Sequence, residues 1–235
     1  MQGVLSEHPP GAVCMISGDI TRYAVSMHAL QSLKAPVGSI LTWNMGVLIA
    51  RSINDAFATV MSKPELQWAW IMGDDHTYEP DTLLKLLDRQ KDIIVPLCLS
   101  RMPPMDPTII AAEKRLKYLE DIPITGLYRL EDGETCGDAG ILIRRSAMEK
   151  LGPPWYERKG SGAHDAEDQE FIDKIKRTGF DVFVDMDVAI GHVGFVEFMP
   201  VRKNGHWEVR MIGAGNRRIA DLGTLRRNAE KAVAA

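Results

Sequence analysis

The sequence predicts an α/β fold built on a mostly parallel sheet. Short apolar runs alternate with helical segments through the first hundred residues. One of those runs, WAWIM (68–72), is apolar at every position, as a strand covered on both faces is. Polar residues follow three of the runs, where sheets of this kind present ligands outside the carboxyl ends of their strands.

In chain order, AVCMIS (12–17) reads as the first strand and ends at Gly18-Asp19. TRYAVSMHALQSLK then places Tyr23, Met27, Leu30 and Leu33 at helical spacing. GSILTW (38–43) is a second strand, and NMGVLIARSINDAFATVMSK is again helical in period. After WAWIM, Pro80 suits a first helical turn and DTLLKLLDRQK continues the helix. DIIVPLCL (92–99) is the fourth strand, and the rhythm is that of a parallel sheet with covering helices. Beyond residue 100, SRMPPMDP is a turn region, and TIIAA, ITGLYRL and AGILIRR are short strands. SAMEKLG is a helix stopped by Gly152 and Pro153. The Gly-rich, charged loop WYERKGSGAHDAED opens the helix AEDQEFIDKIKRTG, with Phe171, Ile172 and Ile175 on one face and Gly179 as its stop. FDVFVD, VAIGHVG and HWEVRMI are late strands, and a helix is expected from Arg217 onward. The expected organisation is one domain without a clean linker: a nucleotide-binding-type half (12–100), a mixed-sheet half (101–200) and a C-terminal segment (201–235).

At 235 residues the chain can bury a real core. Its 45% hydrophobic and 26% charged residues are those of a soluble globular protein, and no apolar run reaches the length of a membrane span. MQGVLSEHPPG lacks the build of a signal peptide, so a cytoplasmic location is expected. Cys14, Cys98 and Cys136 lie far apart, fit neither a disulfide framework nor a zinc knuckle, and read as reduced core thiols. The net charge of −4 is uneven: residues 201–235 carry +5 and the rest −9. A basic segment on an acidic body suits a phosphate-bearing partner, and a solvated amphipathic helix gives the same count. The helix is favoured from Arg217 onward, and Arg202 and Lys203 stay open to either role.

The chemistry-bearing residues begin with Asp74-Asp75-His76, at the end of WAWIM. Turn chemistry accounts for such residues. So does metal binding, since adjacent carboxylates suit Mg²⁺ or Mn²⁺. Neighbours on an extended chain face opposite ways, so one aspartate is expected on the metal and the other on a sugar or ribose hydroxyl. Glu167-Asp168 opens a helix, where acids complement the dipole and Asp165 can cap; alternatively a carboxylate there is a general base. The helix terminus is expected to lower the pKa of Asp168. His192, in AIGHVG, is a structural histidine or a ligand. Arg51, in VLIARSI, serves a phosphate or snorkels to solvent.

The succession of these segments resembles the family 2 glycosyltransferases of the GT-A fold over about residues 12–195. The matching stretches are MISGDITRYAVSMHALQSL, NMGVLIAR, WIMGDDHTYEPDTLLKLL, AGILIRR, AEDQEFIDKIKRTGFDV and GHVG. The resemblance implies a metal-binding Asp75, a donor-contacting Asp74, and His192 as a further metal ligand. It also implies Asp168 as base, Glu167 as an acceptor or loop contact, and Arg51 and Asp19 along the nucleotide. Two departures stand out. The family's first motif aspartate falls on Gly73, which leaves Gly-Asp-Asp, or else Asp74-Asp75-His76 is an Asp-x-His variant that adds His76 to the metal. Ser52 follows Arg51 where the family often has Asn.

The expected activity is therefore transfer of a sugar from a nucleotide diphosphate sugar, a UDP-sugar by preference, with Mn²⁺ or Mg²⁺ as cofactor and inversion through Asp168. Arg202 and Lys203 would fold over the diphosphate, and the loop 157–166 with His164 would close on the acceptor. A glycan, a small molecule or modified DNA remains open as acceptor. The rivals are a metal-dependent phosphoesterase, using His28, His164 and Asp165 as well, and a non-catalytic sugar-nucleotide or glycan-binding module.

Overall fold

The computed structural model describes residues 1–17, 24–46, 48–101, 105–113, 115–157, 167–194, 197–203, 205–213 and 216–220. Asp19, His164, Asp165 and most of the loop 157–166 lie outside them.

Strand β1 (Gln2–Val4) precedes β2 (Ala12–Ser17), helix α1 (Ala24–Ser32), β3 (Lys34–Pro36), β4 (Ile40–Met45), α2 (Ile49–Met61) and β5 (Trp68–Gly73). Then come β6 (His76–Thr77), α3 (Thr82–Asp88), β7 (Ile93–Leu97), β8 (Ile109–Ile110), a 3₁₀ turn (Leu119–Asp121), β9 (Leu127–Arg129) and β10 (Thr135–Cys136). The chain continues through β11 (Leu142–Arg144), α4 (Arg145–Leu151), α5 (Glu167–Arg177), β12 (Phe183–Ala189), β13 (Gly191–His192), β14 (Glu197–Lys203), β15 (His206–Gly213) and β16 (Asn216–Ala220). Pro80 sits just ahead of α3, whose N-cap is Asp81, rather than inside its first turn.

Seven strands form the central sheet in the order β4-β2-β5-β11-β7-β12-β9. β4, β2, β5, β7 and β12 run in one direction, and β11 and β9 oppose them. Both faces are covered, which is why the strands are apolar without alternation. On β2 and β5, Ala12, Cys14, Ile16, Ala69 and Ile71 join the core shared with α2, α4 and α5. Their neighbours Val13, Met15, Trp68, Trp70 and Met72 join the opposite core, shared with α1 and α3. Helix α2 presents Ile53, Ala56, Phe57 and Val60 to the first core, at i, i+3, i+4 and i+7.

Two expectations change. AGILIRR belongs to the front sheet, because β11 inserts between β5 and β7, where Leu142 and Ile143 are fully buried. The two halves of the chain therefore share one sheet. The expected helix from Arg217 is not formed at its start: Arg217 and Arg218 lie in β16, which pairs antiparallel with β15 from Gly213↔Asn216 onward. Pairing satisfies backbone groups that an unpaired edge of β15 would leave open. Positions from 221 onward lie outside the described residues.

β16-β15-β14-β13-β6 make a second, antiparallel sheet. Its last two members carry His192 and His76 directly opposite one another, beside the carboxyl end of β5. All three cysteines are free and buried, as expected. Among the described residues no helix is long and apolar enough to cross a membrane.

Candidate active site

The parallel strands β2, β5 and β7 bring Ser17, Gly73 and Leu97 to one rim, and a cleft of about 370 Å³ opens there. Ile16, Ile53 and Ile71 give it apolar walls. Asp74, Asp75, His76, Arg101, Asp138, Asp168 and His192 give it two polar sides.

The first side is built around Asp75. Asp74 and Asp75 occupy a turn after β5 rather than extended chain, so the opposed-face expectation does not apply and both line the cleft. Their partners still differ. Asp74 Oδ2 accepts a hydrogen bond from Ser17 Oγ at 2.5 Å. Asp75 Oδ2 accepts one from Arg101 Nη1 at 2.8 Å and faces His192 Nε2 at 3.4 Å, while Oδ1 lies 3.2 Å from His76 Nδ1. Burial opposes ionisation of Asp75, but His192, His76 and Arg101 together outweigh it and hold the carboxyl at about 2. Burial pushes His76 the other way, down to about 4, so its imidazole is neutral near pH 7. The His76 and His192 rings stack with centroids 4.7 Å apart.

This side fits a divalent cation by two observations. Both ring nitrogens of His76 are buried and make no hydrogen bond of good geometry, the 3.2 Å approach of Nδ1 to Asp75 included, which is costly unless something else meets them. His192 Nδ1 lies 2.9 Å from the Leu99 carbonyl and its Nε2 faces Asp75, so a proton kept on Nδ1 by that carbonyl would free Nε2 for a cation. Gly73 is part of the cradle: a Cβ there would stand 2.7 Å from Asp75 Oδ1 and 2.8 Å from His76 Nδ1. Two imidazoles and one carboxylate suit a transition-metal cation better than Mg²⁺, which takes oxygen ligands.

The second side is a pair of acids. Asp168, on the first turn of α5, accepts the Gln169 N–H at its own Oδ1, 2.9 Å away. The expected depression of its pKa is reversed: burial raises it, with Glu167 adding like charge, and this outweighs the hydrogen bonds of the helix start. Asp138 lies in the segment after β10; burial and the Asp168 charge lift it to about 6. Tyr156 Oη donates to Asp138 Oδ2 at 2.6 Å. The tyrosine is fixed in turn by stacking on Phe171 at 4.0 Å and by Asn54 of α2, whose amide brackets the Trp155–Tyr156 backbone with three hydrogen bonds.

The structure thus brings Asp74, Asp75, His76, His192 and Asp168 into one cleft. Glu167 points elsewhere: its Oε2 accepts the Ala50 N–H, 3.1 Å away, at the start of α2, where Leu48 supplies no side-chain cap. Arg51 is exposed on the outer side of α2, 3.9 Å from Asp55, beside a separate hollow of about 250 Å³. Arg202 donates to the Met186 carbonyl and to Asp187, away from the cleft. Lys203 ends β14, paired with His206. Two charged residues of the cleft escaped the sequence reading. Asp138 had a signal in CGDAG, an acid between glycines after a strand; Arg101, in a proline-rich turn, had none.

By sequence, the chain matches no protein-family model, and no curated protein matches it significantly. By fold it is similar to A197 from STIV, with a TM-score of 0.60 and 11% identity over 90% of this chain and 97% of that one. It is also similar to GalNAc-T7, solved with UDP, GalNAc and Mn²⁺, with a TM-score of 0.50 and 11% identity over 80% of this chain and 45% of that one. S. aureus TarS 1–349 aligns with 76% of this chain and 58% of its own, at 10% identity and a TM-score of 0.42. The fold class is α/β of the GT-A type.

Proposed function

We propose that the chain is a metal-dependent glycosyltransferase that moves a sugar from a nucleotide diphosphate sugar, a UDP-sugar by preference, to an acceptor hydroxyl with inversion. The observation that carries this is the division of acids within one cleft. Asp75 is held ionised well below neutrality beside two imidazoles, while Asp138 and Asp168 are lifted toward it. Groups driven apart in this way mark a site with one charge-holding and one proton-handling side.

Asp75, His76 and His192 would hold the cation. When bound, it offsets the charge that develops on a diphosphate leaving group. Asp74, fixed by Ser17, meets a hydroxyl of the donor. Arg101 has a half-exposed side chain and serves the anionic part of the donor once it leaves Asp75. Opposite, Asp168 takes the proton of the acceptor hydroxyl at a carboxylate oxygen. Asp138, held by Tyr156, keeps the affinity of that pair for a proton high enough for the transfer. Two like charges at close quarters share a proton more readily than either holds one alone. A GT-A-type fold, a cleft at strand carboxyl ends and a nitrogen-rich metal set support this reading together.

The test combines UDP-sugar binding by calorimetry, with and without Mn²⁺, with transfer or slow donor hydrolysis. Asp168→Asn is expected to keep the fold and donor affinity and to lower turnover by about 10²-fold or more, the scale of a positioned base. Normal turnover in that variant removes Asp168 as base. Phosphate release from simple esters without sugar transfer would make the protein a phosphoesterase instead.

A further inference from the structure

Cys98 follows β7 immediately, one residue before the Leu99 whose carbonyl fixes His192. It is 1% exposed, and its thiol makes a weak hydrogen bond to the Leu99 carbonyl at 3.7 Å. One ligand atom each from His76, Cys98 and His192 lie within 4.8 Å of one another. A tetrahedral centre with bonds of about 2.0–2.3 Å needs donors roughly 3.5 Å apart, so side-chain shifts of about an ångström close it. The second sign of a ligand is independent of the cysteine: His76 is 6% exposed and neither of its buried nitrogens makes a well-formed hydrogen bond.

We infer that Cys98 is a sulfur donor to this centre, so that its cation belongs to the thiophilic, zinc-like class and is held by His76, Cys98 and His192, with Asp75 on the cleft side. The inference rests on the reading of the His76–His192–Asp75 group as a metal centre and deepens it. Charge supports it. A divalent cation with Asp75 alone leaves the buried group at +1, and one thiolate beside it brings the sum to zero, which is what a low-dielectric site favours. On binding, the sulfur–metal bond replaces the S–H bond and the proton leaves to solvent, as it does when a cation deprotonates a coordinating thiol. Softness agrees too: thiolate and imidazole select zinc-like ions, whereas manganese and magnesium take oxygen. A neutral centre also lets Arg101 leave Asp75 for an anionic ligand at little electrostatic cost.

The experiment is a Co²⁺ titration of the full chain followed by ultraviolet–visible absorption, with Zn²⁺ and Mn²⁺ affinities measured by competition. A sulfur-to-cobalt charge-transfer band is expected in the wild type. It should be lost in Cys98→Ser and kept in Cys14→Ser and Cys136→Ser, which remove the other two buried thiols. Zn²⁺ affinity should fall at least about tenfold in Cys98→Ser. Should Cys98→Ser fail to fold, the wild-type spectrum decides, since the band itself reports sulfur ligation. Cobalt bound through His76 and His192 with no sulfur band, or a band that survives in Cys98→Ser, overturns the role of Cys98 and leaves the metal centre standing. No binding of any of the three ions overturns the centre as well.

Discussion

Asp138→Asn is expected to make the protein more stable and less active, with a pH dependence that identifies the cause. Asp138 ionises at about 6 in the folded chain against 3.8 for an ordinary aspartate, first through burial and then through the nearby Asp168 charge. At 1.36 kcal/mol per unit, a rise of about two units is worth about 3 kcal/mol. A raised carboxyl favours the folded state fully below the unfolded value. That contribution is lost as pH climbs from about 4 through about 6, and above this the ionised group burdens the native state. Asparagine never ionises and keeps an oxygen to accept the Tyr156 hydroxyl. Asp138 lines a cleft that water enters, so 3 kcal/mol is a ceiling and a gain of about 1–3 kcal/mol is expected at pH 7–8. For a chain of this size that is a Tm rise of roughly 2–12 °C. Urea denaturation from pH 4 to 8 would show the gap opening between pH 4 and 6. A variant no more stable than wild type at pH 8, or a gap equally large at pH 4, would refute the argument.

Three further outcomes follow from the geometry. Gly73→Ala puts a Cβ against Asp75 Oδ1 and His76 Nδ1, ends of side chains that can move, so folding should survive while calorimetric metal affinity drops by about tenfold or more. Asp75→Ala should leave UDP binding unresponsive to added metal, and His192→Ala should weaken the response; unchanged metal dependence in Asp75→Ala takes that residue out of the centre. Arg89→Met strips the two hydrogen bonds, 2.8 and 3.1 Å, from the fully buried Asp185, which keeps the Asp187 N–H, and should cost about 3 kcal/mol in urea denaturation, the scale for removing the cation from a buried ion pair.

How far the sequence could be read follows from which interactions are local. β2, β5 and β7 announce themselves because a strand buried on both faces must be apolar throughout. α2 and α5 are legible because one packed face imposes a helical period. The place of β11 is different. Three residues, Leu142–Arg144, carry no record that β5 and β7 will close around them, because that pairing is long-range. The expected helix from Arg217 gives way to β16 for the same reason: a five-residue strand that carries two arginines has no period of its own, and its pairing with β15 decides it. Within the cleft, His192 and Asp75 were legible as separate candidates, whereas the contact between them depends on β13 pairing with β6.

The aspartate pair at 74–75 shows where local reasoning fails and what replaces it. Extended geometry sends neighbouring side chains to opposite faces, and on that premise only one of the two can reach a ligand. The chain turns directly after Gly73, and the premise goes with it. The same glycine bears on the motif frame. In a Gly-Asp-Asp frame it stands for a lost aspartate, but a side chain there would overlap Asp75 and His76. The absent Cβ therefore makes room for a donor set that begins one residue later and includes a histidine. That shift from oxygen to nitrogen ligands has a consequence for Asp168. Loading a divalent cation on this set would add positive charge to the site even after the Cys98 thiol gives up its proton, so the cleft would tolerate ionised acids opposite it better than the empty site does. Asp138 sits there lifted by burial and by Asp168, and Asp168 by burial and by Glu167. Metal loading should accordingly lower the pH at which they ionise. A pH–rate profile whose acidic limb moves to lower pH as metal is added would bear this out, and one that stays fixed would show the two sides of the cleft to be electrostatically independent.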